Sequence, residues 1–221
     1  MSQLQNIEQQ FNFRYPALYH QLLADGMLDW GTFGPDWMSQ YYPVLRKNPP
    51  LLLFANDFEL IEFDEIKEKA ADFADPDYWM QVKSGLQFIP FAQNGAGDNY
   101  CFFLNAQEGE DIPVVFMWHD ANRAEFRAKN LQDFIFRSML EAVAAEEEAD
   151  YGLLGTDNFK EDLLRFLRTH KKYLSEKQQQ IIERVYTTEK TNLPLIDGAQ
   201  LAIIIDKEIR FEKLDMEFPY Q

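Results

Sequence analysis

Three histidines are the residues of this chain best suited to acid–base or metal chemistry, and they are far apart in sequence: His20, His119 and His170. None has a second histidine four residues away, the spacing that places two ligands on one helical face. His119, paired with Asp120 or with Asp98, is the best candidate for catalysis. A base needs a nucleophile or a metal to serve, and the chain has no Gly-x-Ser-x-Gly elbow and no His-Glu-x-x-His motif. A turn or surface role is therefore favoured, and we expect no catalytic residue, no metal site and no cofactor.

The segment Gly95–Asp98 has the composition of a phosphate-binding loop but lacks its context. A phosphate cradle needs several free backbone N–H groups, usually a helix N-terminus and often a lysine. Here aromatic-rich runs flank the segment, and Asp98 adds negative charge where an anion would sit. Asn-Gly and Gly-Asp steps between two such runs predict a β-hairpin. Cys101, in the second run, is the only cysteine, so we expect neither a disulfide nor a thiolate metal cage, and a thiol that acts as a small apolar side chain.

An acidic cluster is the best candidate for a binding surface. Its six members follow one another through a predicted strand and the start of a predicted helix: Asp57, Glu59, Glu62, Asp64, Glu65 and Glu68. Alternating acids suit the solvent side of a strand, and acids are favoured at a helix N-terminus, so a solvated face is one interpretation. A patch that binds a basic protein is the other. Divalent-metal binding has less support, because no Asp-x-Asp-x-Asp-Gly loop is present.

The charge of the chain is strongly negative and unevenly distributed. The net charge is −16; residues 1–150 contain 25 acids and 10 bases, whereas residues 151–221 contain 12 acids and 11 bases. Such a surface repels nucleic acid and anionic lipid and speeds encounter with basic proteins, although acidity also serves solubility alone. A basic strip in the second part could bind nucleic acid, but on so acidic a molecule it is better suited to pairing with acids of the same chain or with the C-terminal dipole of its own helix. Its members are Arg165, Arg168, His170, Lys171 and Lys172.

The elements that would position these residues predict an α+β fold. Strand-length apolar runs alternate with apolar positions at helical spacing, which indicates a mainly antiparallel sheet with helices packed on it. Strands are predicted at 51–55, at 58–61, on both sides of the hairpin turn, at 113–118 and at 125–127. Helices are predicted after Pro16 and Asn130, around Ile66, and with Ser175 and Asp197 as N-caps.

The predicted domain organisation is a domain of residues 1–150 and a helical C-terminal extension, residues 151–221, packed on the core. Residues 151–155 are the predicted boundary, and residues 211–220 are predicted to be irregular. The first ten residues are polar, and no apolar run approaches the length of a membrane span. These features, with a single cysteine, predict a cytoplasmic protein.

Several of these segments resemble the SUKH superfamily, named for yeast cell-wall assembly regulators and widespread in bacteria. The "IPFA" strand, glycine–aspartate turn and second aromatic strand of Phe88–Leu104 are similar to its central hairpin. Tyr15–Tyr19, opening a helix that ends near Gly26, resembles its N-terminal element. Pro113–Trp118 resembles the next core strand, and Asn130–Val143 the helix that follows. The resemblance covers roughly residues 1–150.

The resemblance implies a protein-binding function. Bacterial SUKH proteins are commonly immunity proteins that neutralise toxins, among them nucleases and deaminases. It therefore implies a non-enzymatic binding protein whose partner is a basic toxin, with no nucleic acid and no membrane involved. The alternative is an intracellular adaptor or regulator of the yeast type with several partners. An enzyme that uses His119 with Asp120 or Asp98 is the third class, disfavoured by the missing motifs.

Overall fold

The computed structural model describes residues 2–144, 153–154 and 158–221. The chain forms two compact units, each assembled from segments distant in sequence. The first, here called the sheet unit, contains Met1–Gln21, Glu59–Leu131 and Phe211–Gln221; the second, the helical unit, contains Leu22–Phe58 and Gln132–Arg210. The predicted domain boundary near residue 150 lies outside the described residues.

An antiparallel sheet is the framework of the sheet unit and confirms the predicted α+β class. Its order follows the chain from β1 to β6, and each neighbouring pair is antiparallel. The strands are β1 (Glu59–Leu60), β2 (Phe88–Gln93), β3 (Asn99–Phe103), β4 (Val114–Met117), β5 (Ala124–Ala128) and β6 (Glu217–Phe218). The predicted hairpin is β2–β3, whose turn requires the positive φ of Gly97, 92°.

The two middle strands are apolar at nearly every position because both faces of the sheet are covered. On one face, Cys101 of β3 and Val115 of β4 are direct partners in register and belong to one buried cluster. On the other face, Phe102 meets the edges of two rings, with centroids 5.7 Å from that of Tyr15 and 5.4 Å from that of Tyr19. Strands buried on both faces have continuous apolar sequences instead of alternating ones, as here.

Besides the 3-10 turn Leu104–Ala106 and the first residue of a later helix, three α-helices contribute to the described part of the sheet unit. They are α1 (Gln3–Phe11), the first part of α2 (Ala17–Ala24), and α5 (Phe63–Ala74). In α5 the residues Ile66, Ala70 and Phe73 are buried, at the helical spacing that the sequence predicted, and Phe73 joins the cluster under β3 and β4. This burial fixes which side of α5 faces solvent.

The C-terminal segment corrects one prediction. Residues 211–220 were predicted to be irregular, which is wrong for Glu217–Phe218, because β6 pairs with β5 through Ala124↔Phe218 and Glu125↔Glu217. Tyr220 just beyond is fully buried. A two-residue strand has no periodicity of its own, so only its partner strand reveals it.

The described part of the helical unit is built from helices. Their bounds are α3 (Trp37–Gln40), α4 (Tyr42–Leu45), α6 (Leu131–Glu141, of which Leu131 belongs to the sheet unit), α7 (Phe159–His170), α8 (Glu176–Tyr186) and α9 (Gly198–Ile209). Ser175 and Asp197 are the N-caps of α8 and α9, each in a reciprocal capping box with the glutamine three residues later. Both predicted caps are confirmed.

The segment Leu51–Ala55 is buried but forms turns, so the predicted strand is wrong. Its amides find local or isolated partners: Leu53 N–H donates to the carbonyl of Pro50, and Leu52 N–H donates to Nε2 of His170 at 2.9 Å. Leu52 also has a positive φ of 55°, which ends any extended run.

Candidate functional site

The first candidate surface is the acidic segment, defined here as residues 59–77 of the sheet unit. It contains eight acids and two lysines, a net charge of −6. Four of the eight acids lie in helix α5, and a fifth, Glu62, is its N-cap. Asp64 and Glu65 occupy the first turn, where acids are stabilised by the helix N-terminus. Asp64 and Glu68 are exposed on the side of α5 away from its buried residues, and Glu62 is exposed at the N-cap.

The two lysines of the acidic segment neutralise only part of this charge. Lys67 lies 2.6 Å from Asp64, and Lys69 lies 3.6 Å from Glu65. Pairs this exposed contribute little stability, so they hold the side chains only loosely. The surface keeps an excess of negative charge.

Five of the six predicted binding residues lie in the sheet unit: Glu59, Glu62, Asp64, Glu65 and Glu68. The sixth, Asp57, is an exposed residue of the helical unit with a positive φ of 48°. Whether these residues contact a partner stays a prediction.

Trp79 is a functional candidate that the sequence analysis missed. It lies in the turn after α5, and 60% of its surface is exposed. Its ring centroid is 5.6 Å from that of Tyr78 and 6.4 Å from that of His119. An exposed tryptophan beside a charged surface has the composition of an interface hot spot. The available signal was its position two residues after Asp75-Pro-Asp77, a sequence that marks a polar turn.

The second candidate surface is the His119 corner, defined here as Asp98, His119 and Asp120. The β3–β4 register builds it: Asn99 is paired with Met117, so the residues just outside these strands meet. Asp98 is only 6% exposed, and its Oδ1 accepts hydrogen bonds from the backbone N–H of His119 at 2.8 Å and from Nδ1 of the same residue at 2.7 Å. Of the two partners suggested for His119, Asp98 is the one that binds its ring.

The hairpin turn holds Asp98 in place. Asn94 Oδ1 accepts from the N–H groups of Ala96 and Asp98, and Asn94 Nδ2 donates to Asp98 Oδ2 at 3.0 Å. The turn is thus a polar network closed by its own side chains and N–H groups, and not a phosphate cradle.

The same carboxylates act on Tyr220. Burial, with smaller contributions from the charges of Asp120 and Asp98, raises the pKa of its hydroxyl to about 12.

The remaining candidates have structural roles. Cys101 is fully buried, and burial raises the pKa of its thiol far above the usual value, so it stays protonated. In the basic strip, Arg165 pairs with Asp162 at 3.1 Å and Lys172 with Asp25 at 2.8 Å. Arg168 donates to the carbonyl of Lys47, and His170 is fully buried. These contacts agree with pairing inside the chain.

Comparison with known protein families identifies the same family that the hairpin and its neighbouring segments resemble. The model of the SMI1 / KNR4 family (SUKH-1) matches residues 2–137, more than half of the chain. The chain belongs to this family. The matched span contains the acidic segment, Trp79 and the His119 corner, whereas α7, α8 and α9 lie outside it.

Membership in the SUKH-1 family supports a general protein-binding role. No curated protein and no solved structure matches the chain. In the part of the chain that the structure describes, no helix has the length and apolar character needed to cross a membrane.

Proposed function

We propose that this chain is a non-enzymatic immunity protein of the cytoplasm that neutralises a basic toxin, of nuclease or deaminase type, through the acidic segment of its sheet unit. The observation that carries the proposal is the exposed surface of α5 and its N-cap, where Glu62, Asp64 and Glu68 face solvent within a segment of net charge −6. The family supplies the general binding role, and the charge supplies the kind of partner.

The charge of the acidic segment would act mainly on the rate of association. A nuclease or deaminase carries a basic groove for nucleic acid, and an acidic surface of complementary shape is drawn to that groove before contact. Such steering raises association rates and is weakened by salt.

Trp79 would act mainly on the rate of dissociation. Large aromatic side chains that become fully desolvated account for much of the binding free energy of protein interfaces. With 60% of its surface exposed in the free protein, Trp79 has apolar area to lose on binding. Acidic steering and an aromatic contact together suit a fast and long-lived inhibitory complex.

The test is capture of the tagged protein's partner from its own cells, followed by binding kinetics with two charge-reversal variants. Glu62→Lys/Glu68→Lys alters the acidic segment. Glu183→Lys/Asp206→Lys makes the same change in net charge on exposed positions of α8 and α9. We expect one dominant basic toxin, whose association rate at low salt falls about tenfold or more with the first variant and far less with the second.

Two results would count against the proposal. Equal losses in both variants would show that net charge, and not the acidic segment, governs association. Several partners with no toxin among them would favour the adaptor or regulator instead.

A further inference from the structure

We propose that the His119 corner binds a divalent first-row transition-metal ion, with Zn²⁺ as the best-suited member. One potential ligand atom from each of Asp98, His119 and Asp120 lies within 4.8 Å of the other two. Ligand bonds to such metals are about 2.0–2.2 Å long, so two donors on one ion lie at most about 4.4 Å apart. The exposed side chain of Asp120 therefore has to turn toward the ion. Sequence spacing conceals the site, since 21 positions separate Asp98 from His119 and only the β3–β4 register joins them.

The ring of His119 is already oriented as in a metal site. Asp98 Oδ1 accepts from Nδ1, so the lone pair of the neutral imidazole is on Nε2. Histidines that bind metals almost always donate their other ring N–H to a carboxylate or carbonyl in this way. Among the described residues we find no hydrogen bond to Nε2.

The two carboxylates differ in freedom. Asp98 is held by three hydrogen bonds, two on Oδ1 and one on Oδ2 from Asn94. Its bond to Nδ1 places it on the side of the ring away from Nε2, so it orients His119 and does not itself bind the ion. Asp120 is exposed and able to turn toward an ion. The side chain of His119 is 35% exposed, so a hydrated ion can reach it.

The donor set selects the class of ion. Imidazole nitrogen suits Zn²⁺, Cu²⁺ and Ni²⁺, whereas sites for Ca²⁺ and Mg²⁺ are built from oxygen alone. The two carboxylates balance the charge of a divalent ion. With two protein ligands, Nε2 of His119 and a carboxylate oxygen of Asp120, coordination positions remain for water or for a donor from a partner.

The same chain provides an internal control. His20 also forms a histidine–carboxylate pair, with Nε2 2.9 Å from Oε1 of Glu8, and its side chain is 39% exposed. In the part of the chain that is described, no further His, Cys, Asp or Glu joins this pair, since the His119 corner is the only such group of three. The proposed site therefore depends on Asp120, the second ligand, and not on the histidine–carboxylate pair alone.

Calorimetric titration of the metal-free 221-residue protein with ZnCl₂ tests the proposal. We expect one site, lost in His119→Ala and retained in His20→Ala. Asp98→Asn should weaken the affinity about 10–100-fold, the usual effect of removing the carboxylate that orients a ligand histidine. Asp120→Asn changes an exposed side chain with little risk to the fold and should also weaken binding.

The opposite pattern would overturn the proposal. Zn²⁺ affinity unchanged in both His119→Ala and Asp120→Asn, or lost in His20→Ala, would place the ion elsewhere. Absence of binding by the unaltered protein would exclude the site. Circular dichroism of each variant separates loss of the ligand from loss of the fold.

Discussion

His170 illustrates at the scale of one residue how a titratable group can serve only the fold. Its Nε2 accepts from Leu52 N–H, so its Nδ1 must carry the proton, which is directed at the carbonyl of Phe166 3.1 Å away. Burial of the ring lowers its pKa to about 3, against a smaller opposing effect of the bond to Phe166. The neutral ring is therefore the folded form throughout the physiological range.

This lowered pKa predicts a pH-dependent stability. Between pH 6.5 and about 3 the unfolded state binds one more proton at His170 than the folded state, so the free energy of unfolding falls with falling pH by about 1.4 kcal/mol per unit. His170→Gln keeps an acceptor for Leu52 N–H but does not titrate. Its free energy of unfolding should fall less steeply than that of the unaltered protein, by the same amount per unit. Urea unfolding at pH 6, 5 and 4 measures both slopes, and parallel slopes would contradict the assignment.

At the scale of elements, local signals were predictable and non-local ones were not. The caps Ser175 and Asp197 and the apolar spacing around Ile66 are contained in a few neighbouring residues, and the hairpin is contained in seventeen. The buried segment 51–55 has the composition of a strand, but it pairs with no strand among the described residues, and its amides bond within turns and to His170.

The candidate sites divide in the same way. The acidic segment is continuous in sequence, so its members could be named. The His119 corner depends on the register of two strands, and the exposure of Trp79 depends on how the turn after α5 packs. Neither the strand register nor the packing of this turn can be predicted from the residues next to His119 or Trp79 in sequence.

A hydrogen-bonded ion pair between Arg46 and Asp162 connects α4 to α7, and residues so far apart in sequence share no local pattern. The pair predicts that a substitution here has a large effect on stability. Nε of Arg46, at the C-cap of α4, donates to both carboxylate oxygens of Asp162 at 2.9 Å, and Asp162 is fully buried in α7. Arg46→Met leaves this carboxylate without its principal partner, which should reduce the free energy of unfolding by about 3–5 kcal/mol in urea titrations.

Two further variants separate lost charge pairing from lost packing. Arg184→Met removes an exposed arginine of α8 and should cost less than about 0.5 kcal/mol. Arg46→Met/Asp162→Leu removes both charges and should recover part of the loss. A single Arg46→Met variant as stable as Arg184→Met would show that the pair is not needed.

At the scale of the whole molecule, neither compact unit is a continuous stretch of sequence, because the chain passes from one unit to the other and back. The chain leaves the sheet unit after Leu131, builds most of the helical unit and returns at Phe211. The returning segment is not an appendage, because Tyr220 is fully buried against Phe88 and donates from its hydroxyl to the carbonyl of Trp118 at 2.7 Å. Its own carbonyl accepts from Lys83 N–H at 2.7 Å. A sheet formed from residues 59–128 is thus completed by residues about a hundred positions later.

The burial of Tyr220 and its hydrogen bonds to residues of the sheet unit predict that it stabilises strands far from it in sequence. Tyr220→Ala removes a buried ring and should reduce the free energy of unfolding by about 3–5 kcal/mol, whereas Tyr220→Phe keeps the ring, loses one hydrogen bond and should cost about 1 kcal/mol. Urea unfolding gives the totals, and hydrogen exchange of the β3 and β4 amides shows where the loss falls, since protection reports local as well as global opening. If the amides of β3 and β4 are as protected in Tyr220→Ala as in Tyr220→Phe, the returning segment does not hold the sheet. Faster exchange in Tyr220→Ala alone would mean that the stability of the family-matched strands depends on a residue beyond the matched span.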